Sequence, residues 1–269
     1  MKLAIVGVGL IGGSFALAAR NAGLFASIVG VDRNPEHLAQ AQQLGICDAT
    51  AQSVPSDADA VLVALPSDHI AESLASLVEH KGLIFDVASV KAALLEDAAR
   101  LPARYVPCHP IAGSERSGPT AASAELFTDH LLVITPIAQS NSADLATVSD
   151  WWQAFGARVQ TMSAGEHDRL FARTSHLPHL VAFAYMQQIE QAQLAFAAGG
   201  FRDFSRIAAS DPDMWTPILR MNRKAIHTEL RQLQAALTEL GEAVDAADEG
   251  PLRELLSRAQ RRRRAFDEL

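Results

Sequence analysis

The chain has 269 residues, 49% hydrophobic and 20% charged, enough to bury a substantial core in one or two domains. A formal charge of −8 and a pI near 5.6 argue against a polyanion-binding surface and favour small-molecule chemistry. Two cysteines, Cys47 and Cys108, are too few and too far apart for a disulfide scaffold or a Cys-x-x-Cys metal site, and no apolar run approaches the ~18 residues of a membrane span.

From Lys2 to about Pro136, short β-branched runs alternate with helix-like stretches. The runs are LAIV, SIVGV, AVLVA, LIFDV, YVP and LLVI. Helical patterns over Gly12 to Ala22, Pro35 to Leu44 and Asp68 to Val78 separate the first four, and a further one from Val90 to Leu101 leads to YVP. This alternation predicts an α/β fold, a parallel sheet with helices on both faces. The apolar start carries spaced glycines where a signal peptide would carry a cleavage site, so a soluble, cytoplasmic protein is expected.

Gly7-Val8-Gly9-Leu10-Ile11-Gly12 matches the G-x-G-x-x-G fingerprint in its required setting, after a strand and opening a helix. Gly7 permits the tight turn, Gly9 lets backbone approach a pyrophosphate, and Gly12 allows the helix to pack closely on the sheet. Amides of the first turn, including Leu10 and Ile11, then face the phosphates together with the positive helix end. The second run ends at Asp32, about twenty residues past Gly12, where a carboxylate accepts from ribose hydroxyls and repels a 2′-phosphate. NAD is the expected cofactor. Arg33 leaves NADP use open should Asp32 swing aside, and nothing downstream suggests a flavin domain.

The segment TPIAQSNSAD reads as a loop, with Ser142 or Asp144 capping a helix through Trp151 and Trp152. After about Ser163 the pattern becomes long helical periodicity, in HLPHLVAFAYMQQIEQAQLAFA and again in MNRKAIHTELRQLQAALTELGEAV. Two domains follow: a Rossmann-like dinucleotide-binding domain over 1–162 and an all-helical domain over 163–269. Leu180, Phe183, Met186, Ile189 and Phe196 fall on more than one helix face, which suits packing against a second copy in a homodimer. The run Arg261 to Arg264 reads as a solvated helix end, followed as it is by Asp267 and Glu268.

Several side chains carry possible chemistry. His109, at the carboxyl end of a strand, is placed where open α/β sheets bind ligands, and its neutral imidazole can accept a proton; a buried structural histidine is the alternative. Arg206 offers a guanidinium fork for a carboxylate, or an ion pair with Asp203. His176 and His179 share a helical face, but no third ligand is evident at helical spacing, so no metal is expected. Ser89 could cap a helix starting near Val90, Lys91 reads equally as a solvated or a site lysine, and Trp215 as core or pocket lining. Cys108 beside His109 reads as a small buried apolar residue.

Five segments in order, GVGLIGGS from Gly7, DVASVK from Asp86, HPIAGSE from His109, SHLPH from Ser175, and DFSRIA from Asp203 followed by DPDMW, resemble the prephenate dehydrogenase family, which includes arogenate and cyclohexadienyl dehydrogenases. The likeness covers nearly the whole chain. It implies NAD-dependent oxidative decarboxylation of prephenate to 4-hydroxyphenylpyruvate, in tyrosine biosynthesis, with arogenate or dual use as the alternative. It further implies His109 as catalytic base and Ser89 as a partner that hydrogen-bonds the His109 ring and fixes its tautomer. Arg206 would grip a substrate carboxylate, His179 would face the pyruvyl side chain, Glu115 would gate the site, and Trp215 would line it. The helical half lacks the lysine pattern of β-hydroxyacid dehydrogenases, Lys224 being its one lysine, and no Tyr-x-x-x-Lys of the short-chain type occurs. A non-catalytic, NAD-sensing dimer is the reading from another class, and the joint presence of His109, Ser89 and Arg206 opposes it. Neither a fused mutase nor a regulatory domain is expected.

Overall fold

Strands form where the sequence runs apolar on both faces, as parallel strands covered by helices require. The computed structural model describes residues 1–114 and 116–268. Its first half contains β1 (Lys2–Val6), α1 (Leu10–Asn21), β2 (Ser27–Val31), α2 (Pro35–Gln43), β3 (Ala49–Ala51), β4 (Ala60–Val63), α3 (Ser67–Ser76), β5 (Leu83–Asp86) and β6 (Tyr105–Val106). These strands make one parallel sheet in the order β3-β2-β1-β4-β5-β6. The order reverses between β1 and β4, and ligands of such sheets bind in the crevice at that switch point, beyond the carboxyl ends of the strands.

The chain then builds β7 (Cys108–Pro110), β8 (Leu131–Ile134), α4 (Ser142–Ala154) and β9 (Arg158–Thr161). β8 pairs antiparallel with β7 and parallel with β9, so LLVI joins a second, three-stranded sheet and does not extend the parallel one. The apolar run around YVP divides at Pro107, which lacks an N–H, and its two ends enter different sheets. Between the layers Phe15 packs against Phe85, Trp152 and Phe155 with ring centroids 5.1–5.2 Å apart.

Three local expectations are corrected. Residues 90–101 form short 3-10 turns at Ala92–Leu95 and Ala98–Arg100, and the Lys91 and Ala92 amides donate to the Asp168 carboxylate. Ser89 therefore caps no α-helix there. The cap of α4 is Asn141, whose Oδ1 accepts from the Ala143 and Asp144 amides, leaving Asp144 to pair with Arg104. β3 and β9 were not legible, being short and carrying mostly exposed residues.

The remainder is helical: α5 (Ala164–Phe171), a π turn over Ala172–His176, α6 (Leu177–Met186), α7 (Gly199–Ser205), α8 (Pro212–Met221), α9 (Arg223–Asp245) and α10 (Gly250–Phe266). Pro178 cannot donate to the preceding turn, which accounts for the wide turn just before it. The helix expected from His176 to Ala197 stops at Met186 and resumes only as a 3-10 stretch, Gln191–Phe196. One compact unit spans Met1–Arg223 and holds both sheets with α5 to α8; a second, Lys224–Leu269, is built mainly of α9 and α10. Among the described residues no helix is long and apolar enough to cross a membrane.

Candidate active site

The loop after β1 has the shape its glycines require. Gly7 has φ +94°, and a Cβ there would lie 2.3 Å from the Ala64 carbonyl oxygen. A Cβ on Gly12 would sit 2.0 Å from the Gly7 carbonyl oxygen and against Ile5 and Ala64, so only glycine lets α1 approach the sheet. A Cβ on Gly9 would meet nothing within 4 Å, leaving the loop open toward solvent at the start of α1. Leu10 begins that helix and Ile11 packs partly on the core.

At the end of β2, the Asp32 carboxylate accepts from the Val8 amide (3.1 Å) and the Asn34 amide (2.8 Å). Two backbone bonds hold it in place. Arg33 is exposed and makes no ion pair among the described residues.

His109 lies on β7 of the second sheet, just past the carboxyl end of β6, the edge strand of the parallel sheet. Its Nδ1 is 2.8 Å from Nε2 of His167 on α5. His167 Nδ1 in turn donates to Asp168 Oδ1 (2.8 Å). Burial drives the His109 pKa well below the usual histidine range, and the neighbouring His167, Lys91 and His176 push the same way. His167 is also lowered by burial, against the pull of Asp168. Burial works to raise the Asp168 pKa, but hydrogen bonds from His167 and the Lys91 and Ala92 amides outweigh it, leaving a carboxylate. No hydrogen bond joins Ser89 to His109 among the described residues; the ring partner inside the protein is His167, and Ser89 lies half-buried in the loop after β5.

The strand carrying His109 is tied down from below by a buried ion pair. Asp86, at the end of β5, accepts from the Ala88 amide (2.9 Å), Lys91 Nζ (2.7 Å), Tyr105 Oη (2.9 Å) and the Cys108 amide (3.0 Å). Lys91 Nζ also donates to the Cys108 carbonyl. Both side chains of the pair are fully buried, so Lys91 is neither solvated nor free to meet a ligand. Burial, with Asp86 nearby, pushes the Cys108 thiol well up, which removes it as a nucleophile.

On α6, His179 donates from Nδ1 to the Ser175 carbonyl (2.9 Å) and stacks on Trp215 with centroids 3.6 Å apart at 22°. Burial lowers its pKa and the Arg206 charge adds to the effect, so it is neutral with Nε2 as an acceptor. Donation to a keto group, expected from the sequence, would need a second proton. Trp215 is both core and scaffold: it packs with Val90 and Ile218 and sets the plane of His179. Arg206 begins the 3-10 turn Arg206–Ala209, is exposed, and makes no ion pair with Asp203 among the described residues. Glu115 lies outside the described residues.

Sequence reading missed His167, Asp168 and Asn222. The signal for the first two was an adjacent His-Asp pair within an amphipathic helix, in AGEHDRLF. Asn222 carried no signal.

A family model described as "Prephenate dehydrogenase, nucleotide-binding domain" matches residues 15–161, and "Prephenate dehydrogenase, dimerization domain" matches 163–258. The chain belongs to the prephenate dehydrogenase family. Within that family it is 33% identical to a cyclohexadienyl dehydrogenase of Zymomonas mobilis, over 98% of this chain and 95% of that protein. The crystal structure of prephenate dehydrogenase from A. aeolicus in complex with hydroxyphenyl propionate and NAD+ superposes with a TM-score of 0.93 at 33% identity, covering 99% of this chain and 98% of that one. Synechocystis arogenate dehydrogenase gives 0.85 at 27% identity, covering 99% and 100%. As a member of a dehydrogenase family, the chain is an oxidoreductase.

Proposed function

We propose that the chain is an NAD-dependent prephenate dehydrogenase, producing 4-hydroxyphenylpyruvate for tyrosine synthesis. The observation that carries this reading is the His109 ring, held by buried His167 on the carboxyl-end side of the parallel sheet, its Nε2 making no hydrogen bond among the described residues. NAD fits the loop: the open face at Gly9, the amides opening α1 and the anchored Asp32 match pyrophosphate and ribose. When bound, it supplies the acceptor for the hydride that leaves ring C4.

The protein's own tasks are limited. His109 Nε2 accepts the C4 hydroxyl proton as that carbon gains carbonyl character, and returns it to the phenol once the ring carboxylate has left as CO2. Arg206 grips the side-chain carboxylate, His179 sits beside it on Trp215, and Ser89 is assigned the hydroxyl or the nicotinamide by family resemblance. Glu115 is assigned a gating role by family resemblance alone. Residues 1–162 form the cofactor domain and 163–269 the substrate and dimerisation domain of a cytoplasmic homodimer. Exposed apolar side chains support dimerisation: Tyr185 and Phe196 in the first unit, Leu237 and Val244 in the second.

A second reading, arogenate use, is favoured by the bare His179 Nε2, which suits an ammonium donor better than a keto acceptor. Following NADH absorbance with prephenate or arogenate tests both; silence with both substrates, and with NADP as well, would overturn the enzyme reading.

Two variants separate the binding roles. Arg206→Gln should raise KM for the substrate about 10- to 100-fold with kcat largely kept, the loss expected for one charged hydrogen-bonding grip. Steady-state kinetics check this, and an unchanged KM would remove Arg206 from the site. Asp32→Ser should lower kcat/KM with NAD and raise it with NADP, each by about 10-fold, because the repelling carboxylate goes while Arg33 stays. An unaltered NAD to NADP ratio would show that Asp32 does not read the ribose.

A further inference from the structure

We propose that His167, Asp168 and Asn222 are positioning residues that hold His109 and the neighbouring buried His176 in opposite tautomers, with a lone pair at His109 Nε2 and a hydrogen at His176 Nε2. The inference rests on His109 acting as the base, and it assigns the reason why that ring is fit to act.

The logic runs from groups whose hydrogen-bonding sense is fixed. A carboxylate only accepts, so the 2.8 Å contact of Asp168 Oδ1 with His167 puts the hydrogen on His167 Nδ1. A neutral His167 then has a bare Nε2. The 2.8 Å contact from that nitrogen to His109 Nδ1 requires His109 to donate, leaving Nε2 of His109 bare. Burial of His167, whose ring has no exposed surface, favours the neutral ring on which this step depends.

The second branch starts at the backbone of the same residue. The Asp168 carbonyl accepts only, so the Asn222 atom 2.7 Å away is its amide nitrogen, which settles the orientation of that side chain. The same nitrogen lies 3.0 Å from His176 Nδ1 and donates to it. His176 therefore carries its hydrogen on Nε2. Its ring is 1% exposed, and burial depresses its pKa to about 4, so it stays neutral and keeps this one tautomer.

Asp168 is thus a hub. Its carboxylate sets a proton acceptor through His167, and its carbonyl sets a hydrogen-bond donor, His176 Nε2–H, through Asn222. The Lys91 and Ala92 amides, 2.9 Å from its two oxygens, anchor the hub to the loop after β5. The other tautomer of His109 would leave the base nitrogen already protonated toward the substrate hydroxyl.

The test combines a spectroscopic and a kinetic reading of the full chain. With 15N-labelled histidine at neutral pH, His109, assigned through His109→Gln, should show a protonated Nδ1 and a bare Nε2, and His176, assigned through His176→Gln, the reverse. The opposite assignment for either ring, or a doubly protonated His167, would overturn the proposal. In kinetics, His167→Leu should lower kcat about 100-fold with KM within about twofold, while His167→Gln, whose amide oxygen can accept from His109 Nδ1, should recover most of the loss. Equal loss in the two variants would also overturn it. Should His167→Leu fail to fold, the wild-type nitrogen signals and His167→Gln still decide. A wild-type protein without dehydrogenase activity would refute the functional reading separately, since the tautomer signals do not depend on turnover.

Discussion

Replacing His109 by Asn should lower kcat by about 10²- to 10⁴-fold, the usual contribution of a positioned general base, with little change in KM. Asn keeps an amide donor near the position of the lost Nδ1, so the 2.8 Å bond to His167 can persist and the fold is preserved. What disappears is the second nitrogen, the one proposed to receive the hydroxyl proton. The wild-type acid limb carries the same signature. Burial holds the His109 pKa well below 6.5, so the neutral, active form is complete at pH 6.5 and above and is lost only as pH falls through that depressed value. A kcat/KM profile measured from neutral pH downward should therefore stay flat through 6.5. A drop centred there would identify an ordinary solvated histidine as the base, and a His109→Asn variant with wild-type kcat would remove this residue from the chemistry.

The largest effect on stability is expected from Asp86→Asn. Asp86 and Lys91 have no exposed side-chain surface and meet at 2.7 Å, so the substitution leaves an ammonium buried without its counter-charge. Breaking a buried pair from one side costs about 3–5 kcal/mol. For a protein of this size that corresponds to a fall in Tm of about 10 °C. The carboxylate also accepts from the Tyr105 hydroxyl and the Cys108 amide, and an amide side chain can satisfy only part of that set. Because Cys108 precedes His109, the variant should lose activity as well as stability. Thermal melting by circular dichroism checks the first effect, and a shift below about 2 °C would mean that the pair is not buried as described.

What could be read from the sequence was what depends on local spacing. The work of Gly7, Gly9, Gly12 and Asp32 is done within one βαβ unit, at offsets set by strand and helix geometry, so the cofactor crevice was legible before any coordinates. His109, Arg206 and His179 stand out in the sequence as members of a motif series, and their roles are proposals. The partner of His109 was not, because His167 lies 58 residues along the chain and reaches the ring only after α5 packs beneath the loop that follows β5. Asn222 stands 54 residues from the carbonyl that orients it. The helix expected at Val90 is replaced by two short 3-10 turns, whose first amides donate to Asp168, a residue distant in sequence. Lys91 was ambiguous because no local pattern distinguishes a solvated lysine from one drawn inward to a strand-end aspartate.

The most direct measurement is the stoichiometry of a single reaction mixture containing the purified protein, prephenate and NAD. NADH, CO2 and 4-hydroxyphenylpyruvate should appear in equal amounts, as they must if the ring carboxylate leaves when C4 is oxidised. NADH formation without CO2 release, or no NADH from prephenate at all, would contradict the assignment of this site to oxidative decarboxylation of prephenate.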